Sequence, residues 1–288
     1  MAEIMTGENE QEMARWVMDN ATLYLAYLAM RMIGRLGFPI FCFLLVEGYQ
    51  RTRNVGKYAF RLGVFALISE VPFDLAVTGS VFEIGYQNVF FTLLLGLAAL
   101  WIYDLVDKWT KKELPAAGKG LFAVTAVLLS ASYAALFMRN SYHLTDETLL
   151  YILFGVFASG AAAGFALYGR KRGTLCFQRA VVDATVLVLI MYLADLLKTD
   201  YSGMGVLTIT AMYLFRRNKV LSMTAGCVVL VAMSVSEITA FAALIPVALY
   251  NGRRGLKMKY FFYVFYPVHL LLLYLVSVAL GLGKVILF

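Results

Sequence analysis

Residues 31–54 read RMIGRLGFPIFCFLLVEGYQRTRN. The stretch is apolar enough to cross a bilayer, yet it carries Arg31 and Arg35 one helical turn apart and then Glu47. An ionisable side chain inside hydrocarbon costs several kcal/mol and by default marks a functional site. A helix that only anchors a protein has no use for Arg-x-x-x-Arg. This stretch makes the chain an all-α, polytopic membrane protein with charged groups inside its spans.

The rest of the chain agrees. It has 288 residues, 61% of them hydrophobic and 15% charged, with a mean hydropathy of +0.76. Soluble domains are about half apolar and a quarter charged. Runs near the roughly 20 residues a span needs occur at 22–49, 58–78, 88–107, 119–138, 148–168, 178–197 and 260–282. Between 203 and 251 the apolar text is cut by Arg216-Arg217-Asn218-Lys219 and by Ser234-Val235-Ser236-Glu237. It predicts three short helices, 203–216, 220–235 and 237–250, tilted or lining a cavity as half-helices. The expected total is about ten spans. No repeat or soluble domain is visible, so residues 22–288 read as one transmembrane domain after an acidic segment, 1–21.

The net charge of +7 sits in short loops, which speaks for topology rather than for nucleic acid. Loops 50–61, 108–119, 170–179, 216–219 and 253–259 hold 19 of the 25 Lys and Arg. By the positive-inside rule these face the cytoplasm. Residues 1–21 and the C-terminus are then extracytoplasmic, at a cell membrane. The N-terminal segment has no basic start and apolar core of a signal peptide, so a further helix upstream of residue 22 is expected. Cys42, Cys176 and Cys227 are too few and scattered for a disulfide framework or metal site and read as small core residues.

Three polar clusters lie within apolar text. The first is Arg31, Arg35 and Glu47, with Pro39 expected to kink the helix just beyond Arg35. The second is Ser69-Glu70-Val71-Pro72-Phe73-Asp74, whose acids share a helix face. Antiparallel helices would bring Glu70 and Asp74 level with the arginines, either as a structural ion-pair network or as the wall of a pocket. The third is the last span, KYFFYVFYPVHLLLLY (259–274), with His269 about ten residues in. Histidine suits general-base work near neutrality, though a neutral interhelical hydrogen bond is the alternative. His143 falls in an outer loop and reads as solvated. Asn88 is either a helix cap or a pocket amide. Asp195, Asp200 and Tyr201 mark a turn or the wall of an outer cavity. Arg51, Arg53, Lys57, Arg253 and Arg254 form a basic inner edge that either holds a phosphate-bearing ligand or is a plain topology signal.

Five stretches together resemble the TraX family of membrane proteins, named for a conjugative pilin acetylase. They are RMIGRLGFPIFCFLLVEGYQRTRNVGKY (31–58), FALISEVPFDLA (65–76), GYQNVFFTLLLG (85–96), LYNGRRG (249–255) and KYFFYVFYPVHLLLLY (259–274). The resemblance implies a transmembrane acyltransferase that moves an acetyl group from cytoplasmic acetyl-CoA to an exported acceptor. The acceptor would be a pilin-like N-terminus, a glycan or another surface molecule. Catalytic roles would then fall to His269, Arg35, Arg31, Glu70 and Asp74. The CoA phosphates would meet Arg51, Arg53, Arg253 and Arg254, while Asn88, Glu47 and Asp195 would contact substrate. No metal is implied. Family members begin with a helix containing Asp-His, and this sequence has none before residue 31, which puts transferase activity in question. A transporter or flippase, with its broken helices, and a non-catalytic assembly factor are the alternatives.

Overall fold

The structure, a computed structural model, describes Met18, residues 21–252 and residues 259–279. It is 83% helix, with no strands among the described residues. The helices are α1 (Ala21–Gly34), α2 (Gly37–Arg51), α3 (Val55–Val77), α4 (Val89–Trp109), α5 (Ala116–Ser141), α6 (Glu147–Arg172), α7 (Thr174–Leu196), α8 (Ser202–Leu214) and α9 (Lys219–Met233). A 3-10 helix (Val235–Ala243), α10 (Leu244–Leu249) and α11 (Lys259–Ala279) follow. The acidic segment 1–21 lies almost wholly outside the described residues, as do Arg253 and Arg254.

Five helices are long and apolar enough to cross a membrane: Leu28–Arg51, Val89–Trp109, Ala116–Ser141, Glu147–Arg172 and Thr174–Leu196. α3 is also 23 residues long but carries Lys57, Arg61, Glu70 and Asp74. The outer surface is apolar. α6 buries none of its 26 residues and exposes Leu149, Tyr151, Ile152 and Val156. Contiguous apolar surface on this scale suits lipid, whereas a monomeric soluble protein exposes patches of a few hundred Å².

α8 is the centre of the bundle and packs against α2, α4, α7 and α9. Its close approach rests on small residues, as expected where lipid offers no hydrophobic drive between helices. A Cβ on Gly205 would strike Thr92 and Tyr201, and one on Gly203 would strike Tyr133 and Met191. Around it lie Cys42, Val46, Leu97, Leu100, Met223 and Leu230, all essentially inaccessible. Cys42 and Cys227 are the core residues expected of them; Cys176 is half-buried.

The kink expected from Pro39 is present. The ring cannot donate to the Arg35 carbonyl, and α1 ends in a tightened turn, Leu36 N–H to Ile33 O at 3.1 Å, before α2 begins. The break leaves Arg35 at the junction. Two of the three short helices form nearly as expected, as α8 and α9. The third does not: Val235–Ala243 winds as a 3-10 helix and only Leu244–Leu249 is α-helical.

Candidate functional site

Charged and aromatic side chains from five segments converge at one end of the bundle on an open cavity of about 1270 Å³. α1 supplies Arg31 and Arg35, and the loop before α4 supplies Tyr86. α5 supplies Tyr133 and Asn140, and the 3-10 helix supplies Glu237. The last turn of α7 and the connection to α8 supply Asp195, Lys198, Asp200 and Tyr201.

The α7–α8 turn is built under strain. Lys198, Tyr201 and Ser202 all have positive φ, at 51°, 61° and 47°, although none is glycine. Such conformations persist only where the surroundings over-determine them, and they cluster at functional sites. Here the clamps are visible. Gln87 N–H donates to Lys198 O, and Asp200 N–H donates to Gln87 O, both at 2.9 Å. The Tyr86 hydroxyl donates to Asp200 Oδ1 at 2.7 Å. The Tyr201 ring stacks on Phe38, centroids 3.6 Å apart. Gly203 N–H donates to Asp195 Oδ1 at 2.7 Å. Burial pushes the Asp200 carboxyl up to about 6, against the lowering effect of the Tyr86 bond. This segment is thus both the turn and the cavity wall that the sequence left open.

The expected pairing of Arg31 and Arg35 with Glu70 and Asp74 is corrected by the structure. Arg35 Nε donates to Glu237 Oε1 at 3.0 Å, across 202 residues of sequence. The Arg31 charge acts on the same carboxylate. Glu70 turns instead to Asn88, accepting from its side-chain amide and, at 3.4 Å, from its backbone N–H. Asp74 Oδ2 accepts from Glu83 N–H at 2.8 Å. The reason is geometric: α3 packs against α4 and α11, while α1 meets the 3-10 helix. Neither Glu70 nor Asp74 lines the cavity. Asn88 caps α4, its Oδ1 accepting from Phe90 N–H at 3.0 Å, while its amide also donates to Ala66 O at 2.8 Å.

His269 does not line the cavity either. It is half-buried, with Nδ1 3.0 Å from Phe265 O and its ring stacked on Phe265. Leu273, one turn further along the same face, does reach the cavity. His143 is exposed, as expected.

The opposite end of the bundle gathers the basic loops. Arg51 is held by Glu47 Oε2 at 2.5 Å and by Gly252 O at 3.0 Å, which ties α2 to the 250–252 turn. Lys219 donates to Ala248 O at 2.7 Å and to Tyr250 O. Arg53 and Lys57 are exposed. Beneath them, Asp104 accepts from Tyr49 at 2.5 Å and from Tyr213 at 3.1 Å. Among the described residues, no group of three or more His, Cys, Asp or Glu could hold a metal ion.

The TraX protein family matches residues 11–168 and 170–277, nearly the whole chain. The chain belongs to the TraX family. A probable fimbrial assembly protein FimC, serogroup H1, from Dichelobacter nodosus is 40% identical over 83 residues, 26% of this chain and 34% of that protein. The match thus spans about a third of the relative's length. No solved structure matches this chain. The family match takes in Arg31, Arg35, Glu237 and the α7–α8 turn. Glu237 and Tyr86 are what sequence reasoning missed. Glu237 had one signal, an acid within an apolar run, but it read as a helix break.

Proposed function

We propose that this TraX-family protein is a multi-pass membrane acyltransferase serving the assembly of a fimbrial or pilus-like surface structure. The chain crosses the cell membrane about ten times, with its basic loops cytoplasmic. Acetyl-CoA is the acyl donor, drawn by Arg51, Arg53, Arg253 and Arg254. The acceptor is an exported protein terminus or glycan. The observation that carries this reading is the cavity where Arg31, Arg35, Glu237, Asp195 and Asp200 meet at the end of the bundle remote from the basic loops. A transmembrane enzyme needs the acceptor on one side and the donor's phosphates on the other.

The residues divide the work accordingly. Arg31, Arg35 and Lys198 supply positive charge to orient an acceptor. Asp200, its carboxyl pushed up to about 6 by burial, suits proton removal from an acceptor hydroxyl or amine as it attacks the thioester carbonyl and the CoA thiolate departs. If Nδ1–H of His269 donates to Phe265 O, Nε2 keeps its lone pair, and His269 is a second base within one turn of the cavity. Orientation within the cavity supplies the larger share of the acceleration, and acid–base help about 10²–10⁴-fold.

The test is transfer of labelled acetyl from acetyl-CoA to a surface-protein or glycan fraction by the full chain in nanodiscs. Transfer is expected, falling at least about 100-fold in Asp200→Asn. A folded protein that neither binds acetyl-CoA nor transfers acetyl overturns the enzyme and leaves a non-catalytic assembly role. The 3-10 segment at the cavity favours one other reading, a transporter or flippase. It requires substrate accumulation in vesicles without CoA.

A further inference from the structure

The charges of the cavity are already spent on one another and on its wall. Among the described residues that line it, three cations, Arg31, Arg35 and Lys198, are matched in number by three acids, Asp195, Asp200 and Glu237. Arg35 Nε donates to Glu237 Oε1 at 3.0 Å, and the Arg31 charge acts on the same carboxylate. Asp195 accepts from the Gly203 backbone, and Asp200 accepts from the Tyr86 hydroxyl. Taking a charge out of water without a partner is expensive. A lining of balanced charge therefore favours an occupant without net charge.

Two polar atoms of the same wall lack a partner. Glu237 Oε2 and Thr199 Oγ1 are buried with no hydrogen bond among the described residues, and the two residues are only 7% and 1% exposed. Both line the cavity. Buried polar atoms are nearly always bonded, and an exception calls for a reason. Oε2 is an acceptor and calls for a donor, while the threonine hydroxyl both donates and accepts. A ligand with several hydroxyls meets both needs. The wall also carries the rings of Tyr86, Tyr133, Tyr192 and Tyr201. Tyrosine has an apolar body and a polar tip, which suits a sugar ring, apolar on its C–H faces and polar at its edge. At about 1270 Å³ the cavity exceeds the roughly 300–1,000 Å³ of a small-molecule pocket and has room for more than one such ring.

We propose that the cavity binds an uncharged sugar, whose hydroxyls donate to Glu237 Oε2 and pair with Thr199 Oγ1. Arg35 holds the other carboxylate oxygen and so fixes the group that receives the sugar. The paired charges orient the sugar through the dipoles of its hydroxyls. Glu237 and Thr199 are specificity-determining residues. A ligand without hydroxyls leaves both atoms unpaired, and a site built to hydrogen-bond a hydroxyl rejects the analogue that lacks it. A protein amine brings a positive charge that a carboxylate already neutralised by Arg35 does not offset. The inference rests on the cavity being the acceptor's site, as proposed above, and selects a glycan over a protein terminus as that acceptor.

Equilibrium dialysis tests it, with the full chain in phosphatidylcholine nanodiscs without acetyl-CoA. The probes are radiolabelled chitotriose, maltotriose and galactotriose, with trigalacturonate as an anionic counterpart and trialanine amide as an amine. At least one neutral trisaccharide is expected to bind, and both charged probes at least about tenfold more weakly. Glu237→Gln, which takes the charge from the accepting group, should weaken the neutral sugar about tenfold. Thr199→Val should weaken it by a similar factor without lowering the melting temperature, because the hydroxyl it deletes has no partner in the fold among the described residues. That variant serves where the glutamine variant fails to fold. Binding of none of the three neutral sugars overturns the proposal. So does a charged probe that binds as tightly as they do, or a folded Glu237→Gln and Thr199→Val pair that both bind like the wild type. Failed acetyl transfer beside intact sugar binding overturns the reaction and leaves this site standing, whereas acetyl transfer to a protein terminus without sugar binding does the reverse.

Discussion

Asp104 and Glu237 are both carboxylates carried into an apolar bundle, at opposite ends of it, and only one is closed off. Asp104 accepts from Tyr49 on one oxygen and from Tyr213 on the other, and the Arg216 guanidinium lies 3.9 Å from the centre of the Tyr213 ring. It joins α4 to α2 and α8, and each oxygen has a donor. Glu237 faces a cavity, has one donor for its two oxygens among the described residues, and sits on a 3-10 helix. A satisfied buried network fixes a fold. A half-satisfied one is tolerated where something else uses it. The contrast assigns packing to the Asp104 end and recognition to the Glu237 end.

The sharpest way to break that contrast is Glu237→Ala. It leaves the Arg35 charge without its partner and should cost about 3 kcal/mol, read as a lowered melting temperature in detergent. Arg35→Ala added to it should recover most of the loss. If the double variant is no more stable than the single, the pair is not coupled as described.

pH sharpens the contrast further. Burial raises the folded-state pKa of Asp200 from 3.8 to about 6, so the fold prefers its protonated form. Its contribution to stability is full below about pH 4, is lost as pH climbs through about 6, and is flat above. Asp200→Asn should erase this fall in a melting-temperature series. A fall that survives the substitution assigns the titration elsewhere.

Tyr49→Phe probes the closed end. It removes the hydroxyl whose single proton serves Asp104 and Leu100 O and should cost about 1–2 kcal/mol. Acetyl transfer by the folded variant should stay within twofold of wild type. Slower transfer would show that the two ends are not independent.

The smallest effect is expected at Glu47→Gln. Its pair with Arg51 is an i,i+4 contact with side chains 21% and 50% exposed. Such pairs contribute about 0.3–0.5 kcal/mol. A melting shift of several degrees would mean that the Arg51 clamp on the 250–252 turn depends on Glu47.

Much of the local structure was legible because its causes are local. Pro39 lacks an N–H, so the break beside Arg35 follows from sequence. Asn88 before an apolar run reads as a cap and is one. The Gly-rich text after Asp200 marks a turn, and its place in the cavity wall was one of two readings. The partners were not legible. Arg31 and Arg35 seemed to call for Glu70 and Asp74, the acids that an antiparallel neighbour would bring to their depth, yet Arg35 meets an acid 202 residues away. Glu70 is satisfied by an amide, which charge matching never considers. His269 stood out by residue type alone, and its ring turns to Phe265 and Tyr266.

The sequence by itself determined that this is an apolar, all-helical chain of the TraX family, where its helices break, and that charge lies within its apolar runs. Those properties follow from hydropathy, proline chemistry and motif. Tertiary structure alone decided which charges meet. Pairing inside a bundle depends on which helices are neighbours and at what rotation, and that is set by close packing around α8, where Gly203 and Gly205 admit Tyr133, Met191 and Thr92. A cavity with Arg35 and Glu237 on its wall is a consequence of that packing.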